Sequence, residues 1–317
     1  MPTVTASQKT GVSGVRPGLH TTEGFLALMA KGITDVFKRT MEEPMETDPL
    51  YQKRNTTLLT ESFQSVVGLG HIAQNRDEDV IPHDEQSLGF SNTISNYTYR
   101  GRVGHSRTLM EAEQYGQLGD NQRELTDAVK RTQELIQIDP FNRALGTSGA
   151  PFICEDGMYF LDSDRYNPHP EGGTWSNLEA ASAITPTSIY TAQINAASQV
   201  TERGHLAPRT IQKIWVRPTD EKSVWEILRS DLRPTDSMNA RNFQFGRFQY
   251  GVLNRLTGAL IFYQLNGKNE LYSQERVAPS FESWLGADNP DVFWQRVRFA
   301  MGVGCNRADN WRGGTVS

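Results

Sequence analysis

The run Tyr97-Thr98-Tyr99-Arg100-Gly101-Arg102-Val103 is followed, from Leu118, by Leu118-Gly119-Asp120-Asn121-Gln122-Arg123-Glu124-Leu125-Thr126-Asp127-Ala128-Val129. In the first run Tyr97, Tyr99 and Val103 point one way and Thr98, Arg100 and Arg102 the other, the period of a half-buried strand. In the second the period lengthens. Leu118, Leu125, Val129, Thr132 and Leu135/Ile136 recur every three or four residues, which predicts a helix with one apolar stripe over 120–138. Asp120 or Asn121 suits its N-cap, Glu124 its first turn, and Asp139-Pro140 its end. At about 1.5 Å per residue such a helix is a rod of about 27 Å. The stretch 79–138 therefore reads as a two-faced ribbon running into a rod. That shape suits a subunit reaching over its neighbours, and equally an ordinary α+β enzyme.

Outward from that stretch, 317 residues allow a large core and two subdomains. Charged residues make up 22% and hydrophobic ones 37%, a globular balance on the polar side. No run approaches the roughly eighteen apolar residues of a membrane span. Residues 1–20 lack an apolar core flanked by basic residues, so no secretory signal is expected. Cys154 and Cys305 form neither a disulfide framework nor a metal spacing, and read as buried small hydrophobes in a reducing compartment. A net charge of -5 argues against a dedicated nucleic-acid binder. Arginine outnumbers lysine 24 to 8, which favours planar, bidentate contacts at interfaces or simply reflects a genome rich in G and C.

Residues 1–21 hold little to bury and read as an extended arm. A helix is predicted over 22–41, with Phe25, Met29, Ile33 and Val36/Phe37 on one face, then a polar linker over 42–54. Paired glycines in Val66-Val67-Gly68-Leu69-Gly70 predict a turn between short extended pieces. The stretch 141–152, rich in Gly, Ser and Pro, reads as a boundary before a second compact region. There Met158-Tyr159-Phe160-Leu161 predicts a strand and Thr185-Pro186-Thr187-Ser188 opens a helix to about Val200. Ile211–Val216 alternates as a strand, and Pro218-Thr219-Asp220 starts a helix with Val224, Ile227 and Leu228 inside. After Asp231 the chain becomes strand-rich, over 248–265, 270–276 and 292–302, with a hairpin turn expected at Asn266-Gly267.

The chemistry is thin. Six histidines stand singly, with no HExxH motif and no Cys/His pair, so no metal site is expected. Gly146-Thr147-Ser148-Gly149-Ala150 has the wrong spacing for a nucleophile elbow. Gly267-Lys268-Asn269 lacks the upstream glycine and the Ser/Thr of a phosphate loop. Glu111 with Glu113, and Asp77 to Asp79, read as solvated faces before acid/base pairs. No catalytic residue, cofactor or metal ligand is expected. Arg100, Arg102 and Arg107, with Glu111 and Glu113, are the candidate inter-subunit contacts, since charges on a ribbon leaving the body suit pairing between chains. Exposed charges that blunt a strand edge are the equal alternative.

These residues also carry a likeness. Lys213-Ile214-Trp215-Val216-Arg217-Pro218, Leu228-Arg229-Ser230 and Arg233-Pro234-Thr235-Asp236 with Asn239 and Asn242 resemble the major capsid proteins of tailed double-stranded DNA phages, of the HK97-like fold. So does the ending, Val297-Arg298-Phe299-Ala300-Met301-Gly302-Val303-Gly304-Cys305 closing on Trp311-Arg312-Gly313-Gly314. Ile81-Pro82-His83-Asp84 with Gly89-Phe90, the run Arg107 to Gly116, and Gly173-Thr174-Trp175-Ser176-Asn177 fall in the order such proteins use.

The resemblance spans about 55–317 and implies an α+β, HK97-like fold. It implies an N-terminal arm (1–60), a connecting segment (61–78), an extended β-hairpin loop (79–107) and a peripheral domain (108–149) with a spine helix at 120–138. An axial domain (150–242) and peripheral strands with the C-terminus (243–317) complete it. It implies pentamers and hexamers in an icosahedral shell around packaged DNA, in a virion assembled in the host cytoplasm, with no chemistry on substrates and no membrane. A separate scaffolding protein is expected, because about 60 residues leave little room for a built-in scaffold; a portal is a further expected partner, with a decoration protein as an open option. Some relatives lock their shells by isopeptide bonds from an extended-loop lysine. No lysine lies between Arg54 and Val129, so locking is expected to be non-covalent. An encapsulin-like compartment shares the fold. A soluble hydrolase with an unseen site, or a carbohydrate- or DNA-binding module, are readings from other classes.

Overall fold

The computed structural model describes residues 37–39, 41–70, 72, 84–106, 115–146, 152–232, 241–285 and 292–317. In chain order its strands are β1 (Gln52–Asn55), β2 (Thr60–Val66), β3 (Leu88–Ser95), β4 (Tyr97–Ser106), β5 (Arg165–Tyr166), β6 (Thr174–Trp175), β7 (Leu178–Glu179), β8 (Ile211–Val216), β9 (Gln249–Val252), β10 (Leu260–Leu265), β11 (Leu271–Leu285), β12 (Val292–Cys305) and β13 (Trp311–Thr315). Its helices are α1 (Tyr115–Asn142), α2 (Pro186–Ala197) and α3 (Glu221–Arg229). Two sheets form the body, in the orders β1-β11-β12-β4 and β7-β13-β10-β8-β9, and β2-β3 and β5-β6 form two short ribbons.

The predicted rod is present and longer than expected. α1 runs through Pro140 to Asn142. A proline this close to a helix C-terminus removes one bond from the last turn only. Burial holds that turn in place: Phe141 is fully enclosed, with Phe262, Phe160 and Trp311 around it at 5.0, 5.3 and 5.3 Å, each ring near perpendicular to its own. Farther up the rod, Val129 packs with Val297, Phe299 and Met301 of β12, with Leu125, Ile136 and Tyr99 beside them. Gln137 is buried and satisfied: it accepts from Thr47, donates to Ser273 at 3.1 Å, and its carbonyl accepts from Tyr51.

The alternating run at 97–103 is a strand, but not in a ribbon leaving the body. β4 pairs antiparallel with β12 from Tyr97↔Met301 to Ser106↔Val292. The ribbon is the β2-β3 hairpin, paired from Thr60↔Ser95 to Val66↔Leu88. Short-range alternation gives a strand's faces and says nothing about its partner. The predicted helix over 22–41 lies mostly outside the described residues; 37–39 are helical, and Phe37 packs on Phe281 at 5.8 Å.

The five-stranded sheet carries α2 and α3. Thr185 caps α2 in a reciprocal pair with Ser188, and the helix ends at Ala197. Val224, Ile227 and Leu228 of α3 are buried, and they share a core with Ile189, Ile214 and Phe248. Asn266-Gly267 is a turn, with Gly267 at φ 137, yet the strands it joins, β10 and β11, belong to different sheets. The strands after Asn242 thus divide: β9, β10 and β13 join β8, while β11 and β12 join β4. β11 continues past the predicted end at Arg276 to Leu285, crossing Pro279 where its register with β12 slips between Val277 and Ser280. An irregularity is where a strand tolerates proline. Cys154 and Cys305 are free and buried.

Candidate assembly surfaces

The hairpin is rooted on one face of the four-stranded sheet. Along β12, Gly302 and Gly304 share that face, and nothing larger fits: an added Cβ would stand 2.3 Å from the Ser95 carbonyl oxygen and 2.4 Å from Ile94. Asn92 donates to the Cys305 carbonyl at 2.6 Å, and Phe63 stacks on Tyr272 at 5.4 Å. Around the hairpin several aliphatic side chains stand exposed. Leu58, Leu59, Val66, Leu69, Ile72 and Leu88 are each more than half exposed. Exposed aliphatic side chains gathered along one ribbon are of the kind that interfaces cover.

A charged hub holds the hairpin's outer end to the body. Arg307 pairs with Glu202 and lies 3.3 Å from Asp309 and 3.9 Å from Glu155, and Arg209 takes Asp309 at 2.5 Å. Glu202 in turn accepts from the Gly68 backbone at 3.0 Å. Next to it Arg203 pairs with Asp84 at 2.8 Å, and Asp84 accepts from Gly70 at 2.6 Å. That backbone N–H and Arg203 hold the Asp84 carboxyl below the usual carboxylate range. Burial pushes Glu155 up to about 8, against the pull of Arg307.

Farther out on the face that Gly302 and Gly304 share lie the candidate arginines. Register sets Arg100 opposite Arg298 and Arg102 opposite Arg296, so four guanidinium groups stand on one surface. Arg102 stacks over Trp294 at 4.8 Å and Arg296 over Trp284 at 5.3 Å. Arg296 pairs with Glu282, the only carboxylate sharing this part of the face among the described residues. The sheet's other face lies under α1 through Val297, Phe299 and Tyr99. Arg107, Glu111 and Glu113 lie outside the described residues. Sequence reasoning missed Arg296 and Arg298. The signal was the alternation of Trp294, Arg296 and Arg298 against Phe293, Val297 and Phe299.

An open cleft of about 580 Å3 lies beside the start of α2, lined by Thr185, Pro186, Tyr190, Asn242, Phe243 and Gln244 among others. Among the described residues its lining holds no carboxylate, histidine or cysteine. Among the described residues no cluster of three or more His, Cys, Asp or Glu could hold a metal ion, and no helix is long and apolar enough to cross a membrane.

No family model and no curated protein matches the chain's sequence. Its fold, by contrast, matches phage structures. A chain of Mycobacterium phage Patience superposes at a TM-score of 0.54 with 11% identity, covering 94% of this chain and 90% of that one. The capsid structure of the cyanophage P-SCSP1u gives 0.54 with 13% identity over 84% and 86%, and the capsid of Ralstonia phage GP4 gives 0.52 with 12% over 83% and 84%. The chain has the HK97-like fold of tailed-phage capsid subunits.

Proposed function

We infer that this chain is the major capsid protein of a tailed double-stranded DNA phage, assembling as pentamers and hexamers of an icosahedral shell. The observation that carries the reading is a fold shared with phage capsid structures along nearly the whole chain. Two features of the surface support it. The hairpin presents aliphatic side chains to solvent, which a second copy would cover, and among the described residues the arginine face holds four guanidinium groups and one carboxylate. Contacts of this kind, repeated head to tail around an axis, close into rings.

In this reading the hairpin is the extended loop and α1 is the spine helix of the peripheral domain. The sheet built on β8, β10 and β13 forms the axial domain at the centre of each ring. Its strands come from both sides of Asn242. Locking is non-covalent, since neither β2 nor β3 contains a lysine. A separate scaffolding protein and a portal are the partners, with a decoration protein as an optional one, and the virion is the location. The test is electron microscopy of the expressed chain, alone and with its scaffold. Closed particles containing DNA after infection uphold the reading. Particles filled with a cargo enzyme would point to a bacterial compartment instead, and a soluble monomer under all conditions would sink both. On a denaturing gel, mature particles are expected to give one band at 35.6 kDa and no covalent ladder.

A further inference from the structure

We propose that Cys154 and Cys305 form a redox-switchable pair, closed to an intramolecular disulfide by a small peroxide once the chain leaves a reducing medium. The two residues lie far apart in the sequence, and the fold brings them together. Cys305 is the last residue of β12, and Cys154 opens a tight turn in which its amide donates to the Met158 carbonyl at 3.0 Å. The Glu155 amide donates to the Asn306 carbonyl at 3.3 Å. That bond, one residue on from each cysteine, holds the two backbones at about the 5 Å spacing of paired strands. Disulfides bridge Cα atoms at such separations. Both side chains are buried in one cluster with Phe160, Leu271 and Trp311, and the two thiols are hydrogen-bonded to each other.

The surroundings make one sulfur the nucleophile and the other its partner. Arg165 is buried against Cys154 and pairs with Asp156 at 2.9 Å. Burial pushes the Cys154 thiol up, but the hydrogen bond with Cys305 and the Arg165 charge outweigh it and hold Cys154 below the usual thiol value. Burial, with the neighbouring Cys154, pushes Cys305 well up. A structural cysteine in apolar surroundings is inert; a cation and a second thiol in contact are what make one reactive. A small cleft of about 20 Å3, lined by Glu155, Asp156, Arg165, Arg307 and Ala308 among others, reaches this cluster and has room for a solvent-sized molecule.

In the first step the Cys154 thiolate attacks one oxygen of hydrogen peroxide. The O–O bond breaks, and the departing hydroxide takes up the proton that Cys154 had released. The Cys305 sulfur then attacks the Cys154 sulfenic acid: the S–S bond forms, the S–O bond breaks, and the Cys305 proton leaves with hydroxide as a second water. Two thiols lose two electrons and one peroxide gains them. The crosslink closes the chain from before β5 to the end of β12, a stretch that includes α2 and α3. Closing so long a loop restricts the unfolded chain and favours the folded one. Thiols stay reduced in a cytosol and disulfides persist outside it, so the pair is open during synthesis and closed afterwards.

The test uses the full chain, assembled or not, and so does not depend on the shell reading. Reduced protein is treated with hydrogen peroxide and unfolded, and its remaining thiols are alkylated before mass analysis. The expected product has lost two hydrogens, takes up no alkylating agent, and yields a peptide pair joined through Cys154 and Cys305. Its melting temperature is expected to rise by about 5 °C or more and to fall back on reduction. Cys305→Ala is expected to show no rise; where that variant does not fold, the mass map of the wild type decides. The proposal is overturned if both thiols of the folded, treated chain remain open to alkylation, if they end as sulfinic or sulfonic acids, or if the bridge joins two chains. It is also overturned if the bridged protein melts no higher than the reduced one, or if Cys305→Ala rises equally.

Discussion

β13 and the β2-β3 hairpin stand at opposite ends of a scale. β13 lies between β10 and β7, and four of its five residues are buried. Trp311 is fully enclosed and donates to Asn269 at 3.2 Å. Arg312 pairs with Glu179 at 2.6 Å and donates to the Ser176 carbonyl at 2.9 Å. Both Trp311 and Arg312 are answered from within the chain. In the hairpin, alternate residues of β2 face solvent and the leucines around it have no cover. The difference separates residues that close the subunit on itself from residues whose side chains it leaves exposed. Wrap-around burial fixes the first set; the second is left unfinished in the isolated chain.

That contrast can be broken by substitution. Its strongest test is Trp311→Ala, which removes one wall of the aromatic cluster around Phe141 and is expected to destabilise the subunit by about 3–5 kcal/mol in denaturant unfolding. An effect under about 1 kcal/mol would mean that β13 is not the closed region described. Next comes Arg165→Met. Arg165 is buried against Asp156 at 2.9 Å and donates to the Tyr159 carbonyl at 2.7 Å. Leaving Asp156 alone in that setting is expected to cost about 3 kcal/mol, read by the same titration.

A smaller effect concerns Glu155, where the hub meets the hairpin. Its carboxyl is pushed up to about 8, so the folded chain keeps a proton that the unfolded chain releases above the ordinary glutamate range. The unfolded state then binds fewer protons, and stability falls as pH rises from about 4.5 towards 8 and levels off beyond. Glu155→Gln is expected to flatten that fall in melting temperature; an unchanged slope would place its cause elsewhere. The smallest effect on the subunit belongs to Leu88→Ser, within about 0.5 kcal/mol of wild type because the side chain is exposed. The same variant is expected to lower particle yield. If it melts several degrees lower as a monomer, the hairpin is not the unfinished region described here.

The sequence reading reached what depends on neighbours in the chain. The rod, the capped helix at Thr185 and the buried triad Val224, Ile227 and Leu228 all follow from spacing and capping chemistry. It missed what depends on distant pairing. Nothing within Tyr97–Val103 indicates a partner at Phe299, so spacing alone places the run in a ribbon, while the structure builds its ribbon from β2 and β3 and pairs β4 with β12. The same blindness hid half of the arginine face, because Arg296 and Arg298 become its neighbours only once β12 lies beside β4. Arg100 and Arg102 were legible, as charges alternating with aromatic rings.

Two bare hydrogen atoms, at Gly302 and Gly304, set how flush the hairpin lies on the sheet. A methyl group at either point would act as a shim, lifting the ribbon at its base and swinging its far end through a larger arc. In the shell proposed above that tilt would recur in every copy, so two positions without a side chain would bear on the curvature of the whole particle.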